Sequence, residues 1–196
     1  MPFIDDMQIK THCDFSEIDE AEWNALLQHS STNVPFLSYG YLKSWWEFKG
    51  GGEWPEGKLA IISARIDGKL TGIAPFFATI HEGSKKLLFL GSIEISDYLD
   101  LIVETGAEEA FSNALLPYLK EQFPEVQEIL LYNLPDNSPN QALLEKAAHA
   151  SGWSIQSERA YHTPIIPLTG DWEAYLSGVD KKQRHEIRRK LRRAEE

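Results

Sequence analysis

Residues 59–80 constrain this chain more than any other stretch. Two long apolar runs, 59–66 and 70–80, rich in β-branched and aromatic side chains, flank Asp67-Gly68-Lys69. Strand-forming runs around an Asp-Gly turn predict a β-hairpin. A third run at 86–91 and a fourth at 98–103 predict two further strands, separated by the polar loop 92–97. Glu94, Asp97 and Asp100 then fall at or near strand ends, which predicts a sheet with an acidic rim. The strands are too apolar for one face to meet water, so helices or a second sheet must cover them.

The 196 residues suit one α+β domain with extra elements at each end, and six Trp with nine Phe supply enough apolar surface for a core. No run approaches the ~18 apolar residues of a membrane span. The start, Met1-Pro2-Phe3-Ile4-Asp5-Asp6, has neither the basic nor the apolar part of a signal peptide, so a cytoplasmic protein is expected. The lone Cys13 has no internal disulfide partner. It stands beside His12, but neighbouring side chains point different ways, so the pair is not read as nucleophile and base. The six His are scattered, without Cys or carboxylates at ligand spacing, and no metal site is expected.

The net charge of −11 hides an asymmetry. Residues 181–193 hold Lys181, Lys182, Arg184, Arg188, Arg189, Lys190, Arg192 and Arg193, eight of the nineteen basic residues. Everything before residue 180 carries eleven basic and twenty-six acidic side chains, so this body would repel nucleic acid and anionic membranes. Only the basic tail could attract them, and neither a nucleic-acid partner nor a membrane span is expected.

In chain order, 8–16 predicts a first strand. A helix over 18–29 follows, capped by Asp14 or Ser16 and carrying the apolar stripe Ile18, Trp23, Leu26 and Leu27. A second helix after Pro35 has Ser38 as N-cap, with Leu37, Tyr41, Leu42, Trp45 and Phe48 on one face. Residues 50–55 break the chain before the sheet. Past Val103, a helix over 106–123 runs through Pro117, a strand lies at 128–134, and a helix starts at Pro139 and closes at Gly152. Strands are expected at 153–158 and 161–168. A short helix capped by Asp171 follows, then a basic helix from Lys181 whose only apolar residues are Ile187, Leu191 and Ala194, a narrow seam. A helix with so little of its own to bury needs a partner surface. The order of elements is an α+β alternation with an early meander.

Several of these pieces together resemble a known family. Pro35-Phe36-Leu37 with Trp45-Trp46, Asp67 to Pro75, Phe89-Leu90-Gly91 followed by Asp97 to Asp100, and Lys181 to Arg193 are similar to the amino-terminal half of bacterial acetyltransferases linked to cellulose and other exopolysaccharide synthesis. These are GNAT-superfamily proteins, similar in plan to the Fem-type transferases, in which two GNAT-like halves share one chain. The resemblance implies a GNAT-like, mainly antiparallel sheet flanked by helices, and acyl transfer from acetyl-CoA or another activated donor to an amine or hydroxyl.

It also implies a donor loop, Arg/Gln-x-x-Gly-x-Gly/Ala, placed after a strand and at a helix N-terminus, where backbone N–H groups hold the pyrophosphate. That pattern is missing here: Gly50-Gly51-Gly52 precedes a Trp-Pro turn, and Gly91 has no second glycine until Gly106. On the two-half plan the donor loop belongs to a second half following Arg193. The expectation is therefore a GNAT-like domain over 1–178, a basic linker helix over 179–196, a fragment end at Glu196, and no tight cofactor binding by these residues alone.

Asp97, Tyr98 and Asp100 are the candidate acceptor contacts, because carboxylates and a phenol at a sheet edge can orient a hydroxyl or amine and assist its deprotonation. Glu94 is a weaker candidate. Trp45 or Trp46 can form a sugar platform, although helical spacing with Leu42 and Phe48 assigns one of them to the core. His162 reads as a surface or core histidine before a base. Arg184 and Arg188, one turn apart, are the pair for a phosphate or carboxylate on the second half, the donor or the acceptor. Two other readings stand beside this one: a non-catalytic module that binds a partner through the basic helix, and a complete single-domain enzyme with its donor loop at 91–97.

Overall fold

In a computed structural model the described residues are 7–50, 54, 56–93, 95–168 and 170–195. Contacts divide the chain into two compact units, Met1–Ser157 and Glu158–Glu196. The boundary thus falls about twenty residues before the 178/179 division expected from sequence.

The first unit holds a mixed sheet. Its strands are β1 (Gln8–His12), β2 (Lys58–Ile66), β3 (Lys69–His81), β4 (Ser84–Phe89), β5 (Ile102–Val103) and β6 (Glu128–Leu130). The order is β1-β2-β3-β4-β6, with β5 also on β3. All pairs are antiparallel except β4 with β6. The expected hairpin forms around Asp67-Gly68, both at positive φ, with Ile66 opposite Lys69. That is the two-residue turn whose twist suits paired strands. Glu82-Gly83 repeats it between β3 and β4.

Helices cover both faces, as the two-sided apolar pattern requires. On one side lie α1 (Glu20–Gln28) and α2 (Tyr39–Trp45), on the other α3 (Glu108–Gln122) and α4 (Pro139–Ala150). Asp19, rather than Asp14 or Ser16, caps α1, accepting from Glu22 N at 2.9 Å. Trp23, Leu37, Leu42, Trp45, Ile61 and Phe77 fill the first interface, and Phe76, Phe89, Phe111, Leu115 and Leu119 the second. Burying each such side chain stabilises the fold by about 1.5–3 kcal/mol. Position 72 has to be glycine: a Cβ there would come within 2.7 Å of the Phe111 ring, so the missing side chain lets α3 close onto the sheet.

Two expectations need correction. The second helix is not continuous to Phe48: α2 passes into a π-helical turn, Trp46–Gly50, whose wider winding shifts the phase and leaves Phe48 84% exposed. Residues 153–168 form no strand. They lie exposed apart from the half-buried Trp153, and Pro164 and Pro167 have no N–H to give a ladder.

The second unit contains α5 (Trp172–Gly178) and α6 (Lys181–Glu195). Asp171 caps α5 as expected, and Asp180 caps α6 by accepting from Lys182 N and Gln183 N. No helix among the described residues is long and apolar enough to cross a membrane.

Candidate functional site

β4 and β5 both pair with β3, β4 against residues 76–81 and β5 against 72 and 73. The chain therefore leaves the sheet after β4, makes an excursion over 91–101, and returns to the same edge. Gly91 opens the excursion at φ +96, where a Cβ would lie 2.8 Å from Ser96 Oγ. Tyr41 holds the middle: its hydroxyl donates to Ile95 O at 3.0 Å and lies 2.9 Å from Ser96 Oγ. Asn133, at positive φ, donates its side-chain amide to Ser96 O at 2.7 Å.

Asp100 anchors the far end. It is completely buried, and four donors converge on its carboxylate: Thr32 Oγ1 at 2.5 Å, Ser138 Oγ at 2.6 Å, Asn140 Nδ2 at 2.9 Å and Leu101 N at 2.7 Å. Burial raises its pKa above the ordinary carboxylate value, and the donated hydrogen bonds oppose that shift.

The sequence-predicted residues thus separate. Asp97 and Tyr98 are exposed at the tip of the excursion, with Ile95 beside them, and Tyr98 is held at φ +56. Asp100 joins them in sequence but faces inward, a structural carboxylate and not a surface contact. Trp45 is 4% exposed, with its ring 5.8 Å from that of Phe77, so it packs the core and offers no platform. Glu94 lies outside the described residues. His162 is exposed in the second unit.

Arg184 and Arg188 are already engaged. Arg184 Nη2 donates to Val179 O at 2.9 Å and to Ser177 O at 3.3 Å, and Arg188 pairs with Glu173 at 2.6 Å. Both tie α6 to α5. No group of three His, Cys, Asp or Glu side chains among the described residues can hold a metal.

The turn after β5, leading into α3, is built the opposite way. Four successive amides have acceptors within the chain: Glu104 N on Thr71 O, Thr105 N on His29 O, Gly106 N on Glu108 Oε2 at 2.6 Å, and Ala107 N on Glu104 O. The other oxygen of the nearly buried Glu108 accepts from Ser31 Oγ at 3.2 Å. Glu108 and Glu109 both lie in the first turn of α3. The positive end of this helix is met by the protein's own carboxylates. Sequence reasoning passed over Glu108, although acidic residues directly after Gly106-Ala107 are the ordinary signal of a filled helix start.

No family model matches the chain, and no curated protein does. Solved structures do. An aminoglycoside acetyltransferase from an uncultured soil metagenomic sample superposes with a TM-score of 0.50 at 13% identity, over 82% of this chain and 99% of that one. The chain has the GNAT fold. An acetyltransferase of Trypanosoma brucei gives a TM-score of 0.47 at 17% identity, covering 82% of this chain and 100% of that one. Glucosamine-6-phosphate N-acetyltransferase of Arabidopsis thaliana gives 0.44 at 14%, covering 80% and 97%. At such identities the likeness is one of fold.

On the GNAT plan implied by the sequence resemblance, the donor pyrophosphate rests on amides between a strand and a helix N-terminus. The turn between β5 and α3 is such a connection in this unit. The four amides ahead of α3, 104–107, are bonded within the chain and Glu108 and Glu109 stand in its first turn, while no side chain caps the helix itself.

Proposed function

We propose that this chain is the amino-terminal half of a GNAT-like acyltransferase, contributing acceptor recognition while a second GNAT-like half holds the acyl-CoA or other activated donor. The contrast between two loops on one sheet edge carries this reading. The turn before α3 keeps its amides for the protein's own carboxylate and carbonyls, whereas the 91–101 excursion turns Ile95, Asp97 and Tyr98 outward. A carboxylate and a phenol beside an apolar side chain suit a saccharide or an amine: Asp97 accepts from N–H or O–H, and the Tyr98 ring supplies an apolar face.

In the reaction the acceptor nitrogen or oxygen adds to the donor's acyl carbon and gives up its proton, and a thioester donor leaves as the thiol when its C–S bond breaks. Asp97 orients the attacking group and helps remove its proton. The resemblance to exopolysaccharide-linked acetyltransferases supports a cytoplasmic enzyme of polysaccharide or cell-envelope synthesis.

Chemical-shift mapping of the 196-residue protein tests the acceptor site, with glucosamine and cellotetraose as probes. Amide shifts confined to residues 95–98 and abolished by Asp97→Ala are expected. Saturating addition of both sugars without a response in this loop would sink the acceptor assignment.

One observation favours a second reading, a module that binds its partner through α6. Lys181, Lys182, Arg192 and Arg193 are exposed and have no carboxylate partner among the described residues. Salt-sensitive retention on a polyanion column, lost when these four are replaced by Gln, would support it.

A further inference from the structure

We propose that Asp100 is a positioning residue, whose carboxyl group latches the 91–101 excursion to two other segments of the fold and so fixes Asp97 and Tyr98 in place. The proposal rests on the reading of that excursion as the acceptor loop, and gives Asp100 a different part from the surface contact its sequence position suggests.

The geometry is that of a junction. Thr32 comes from the connection between α1 and α2, Ser138 and Asn140 from the start of α4, and Leu101 from the excursion itself. Oδ1 receives Leu101 N and Asn140 Nδ2, while Oδ2 receives the hydroxyls of Thr32 and Ser138. The two groups on Oδ1, a backbone amide and a carboxamide NH2, donate only, so Oδ1 must accept, while Oδ2 meets two hydroxyls. Ser138 has a second duty: its Oγ also accepts from Asn140 N at 3.1 Å as the cap of α4. The carboxylate is therefore held through a group that the helix start already fixes.

An asparagine in its place keeps Oδ1 as an acceptor and turns an NH2 towards two hydroxyls that can accept, whereas an alanine removes all four bonds. Tyr41 and Asn133 hold the middle of the excursion, and the Asp100 hydrogen bonds, beside the buried Leu99 and Leu101, fix the end that follows Tyr98.

Thr32 gives the cleanest test, because it caps no helix and its loss leaves the start of α4 intact. Amide hydrogen exchange is measured across the 196-residue protein for Thr32→Ala, Thr32→Ser and Asp100→Ala. In Thr32→Ala, exchange at residues 92–99 should rise about tenfold or more while β2 and β3 exchange as in the parent. Thr32→Ser, which keeps the hydroxyl, should return the loop to parental protection. Asp100→Ala, which removes all four bonds, should exceed the effect of Thr32→Ala.

Unchanged loop exchange in Thr32→Ala would overturn the proposal. So would an equal rise in loop and core, which would make Asp100 a contributor to global stability alone. If Asp100→Ala does not fold, the Thr32 pair still decides. The measurement needs no ligand, so its failure is separate from a failure of the sugars to bind.

Discussion

Two loops leave the same edge of β3, and each is organised by one carboxylate of very low exposure, yet they are put to opposite ends. Asp100 collects donors from three segments and frees the tip of its loop to face outward. Glu108 stays local, taking the Gly106 amide just ahead of its helix and a nearby serine hydroxyl. On the proposed reading, a GNAT-like fold keeps its strands and helices while the acceptor contacts sit on the neighbouring loop. The deciding variable is whether backbone amides at a helix start are left for a ligand or bonded within the chain.

The comparison predicts a steep asymmetry in mutational cost. Asp100→Ala strands the Thr32, Ser138, Asn140 and Leu101 donors in the interior and should destabilise the protein by about 3 kcal/mol or more, read as a fall in urea midpoint at constant m value. Glu108→Ala frees a single backbone amide and one hydroxyl next to a helix start, and the loss should be about 1 kcal/mol. Equal effects would mean that the two carboxylates play the same structural part.

A smaller effect, distant from both loops, is a pH dependence. His12 is buried against Ser63 Oγ at 2.7 Å, and burial, followed by the charge of Lys10, lowers its pKa below 6.5. The folded state therefore favours the neutral ring. Its contribution is complete above pH 6.5 and declines as the pH falls from there through the lowered folded-state value. Urea midpoints between pH 7.5 and 5 should show this decline, and His12→Gln should flatten it. A decline that persists in the variant would assign it to other groups. Least of all, Asp97→Asn should leave the urea midpoint unmoved while weakening sugar binding, because the side chain is exposed at the tip of the loop.

Local chemistry explains what was legible in the sequence. The hairpin about Asp67-Gly68, the cap Asp171, and the helix from Pro139 are written in turn residues and periodicity within a few positions of each other. What escaped depends on distant partners. The return of residues 102 and 103 to β3 turns an apparent strand at 98–103 into a loop with a two-residue anchor, and this inverts Asp100 from rim to interior. Nothing near Asp100 announces Thr32, sixty-eight residues away. Phe48 was misplaced because a π-helical turn breaks the 3.6-residue period on which its assignment relied. Arg184 and Arg188 read as free cations until the carbonyls ending α5, and Glu173, took them up.

The account stands most directly on whether the start of α3 accepts a donor. Titration calorimetry of the 196-residue protein with acetyl-CoA should give no saturable heat, and Glu108→Gly should not change that result, because Glu104 and Glu109 remain and the Thr105 and Ala107 amides keep their partners. Saturable binding of acetyl-CoA at micromolar concentration by the parent protein, with shifted amides at residues 104–109, would contradict it.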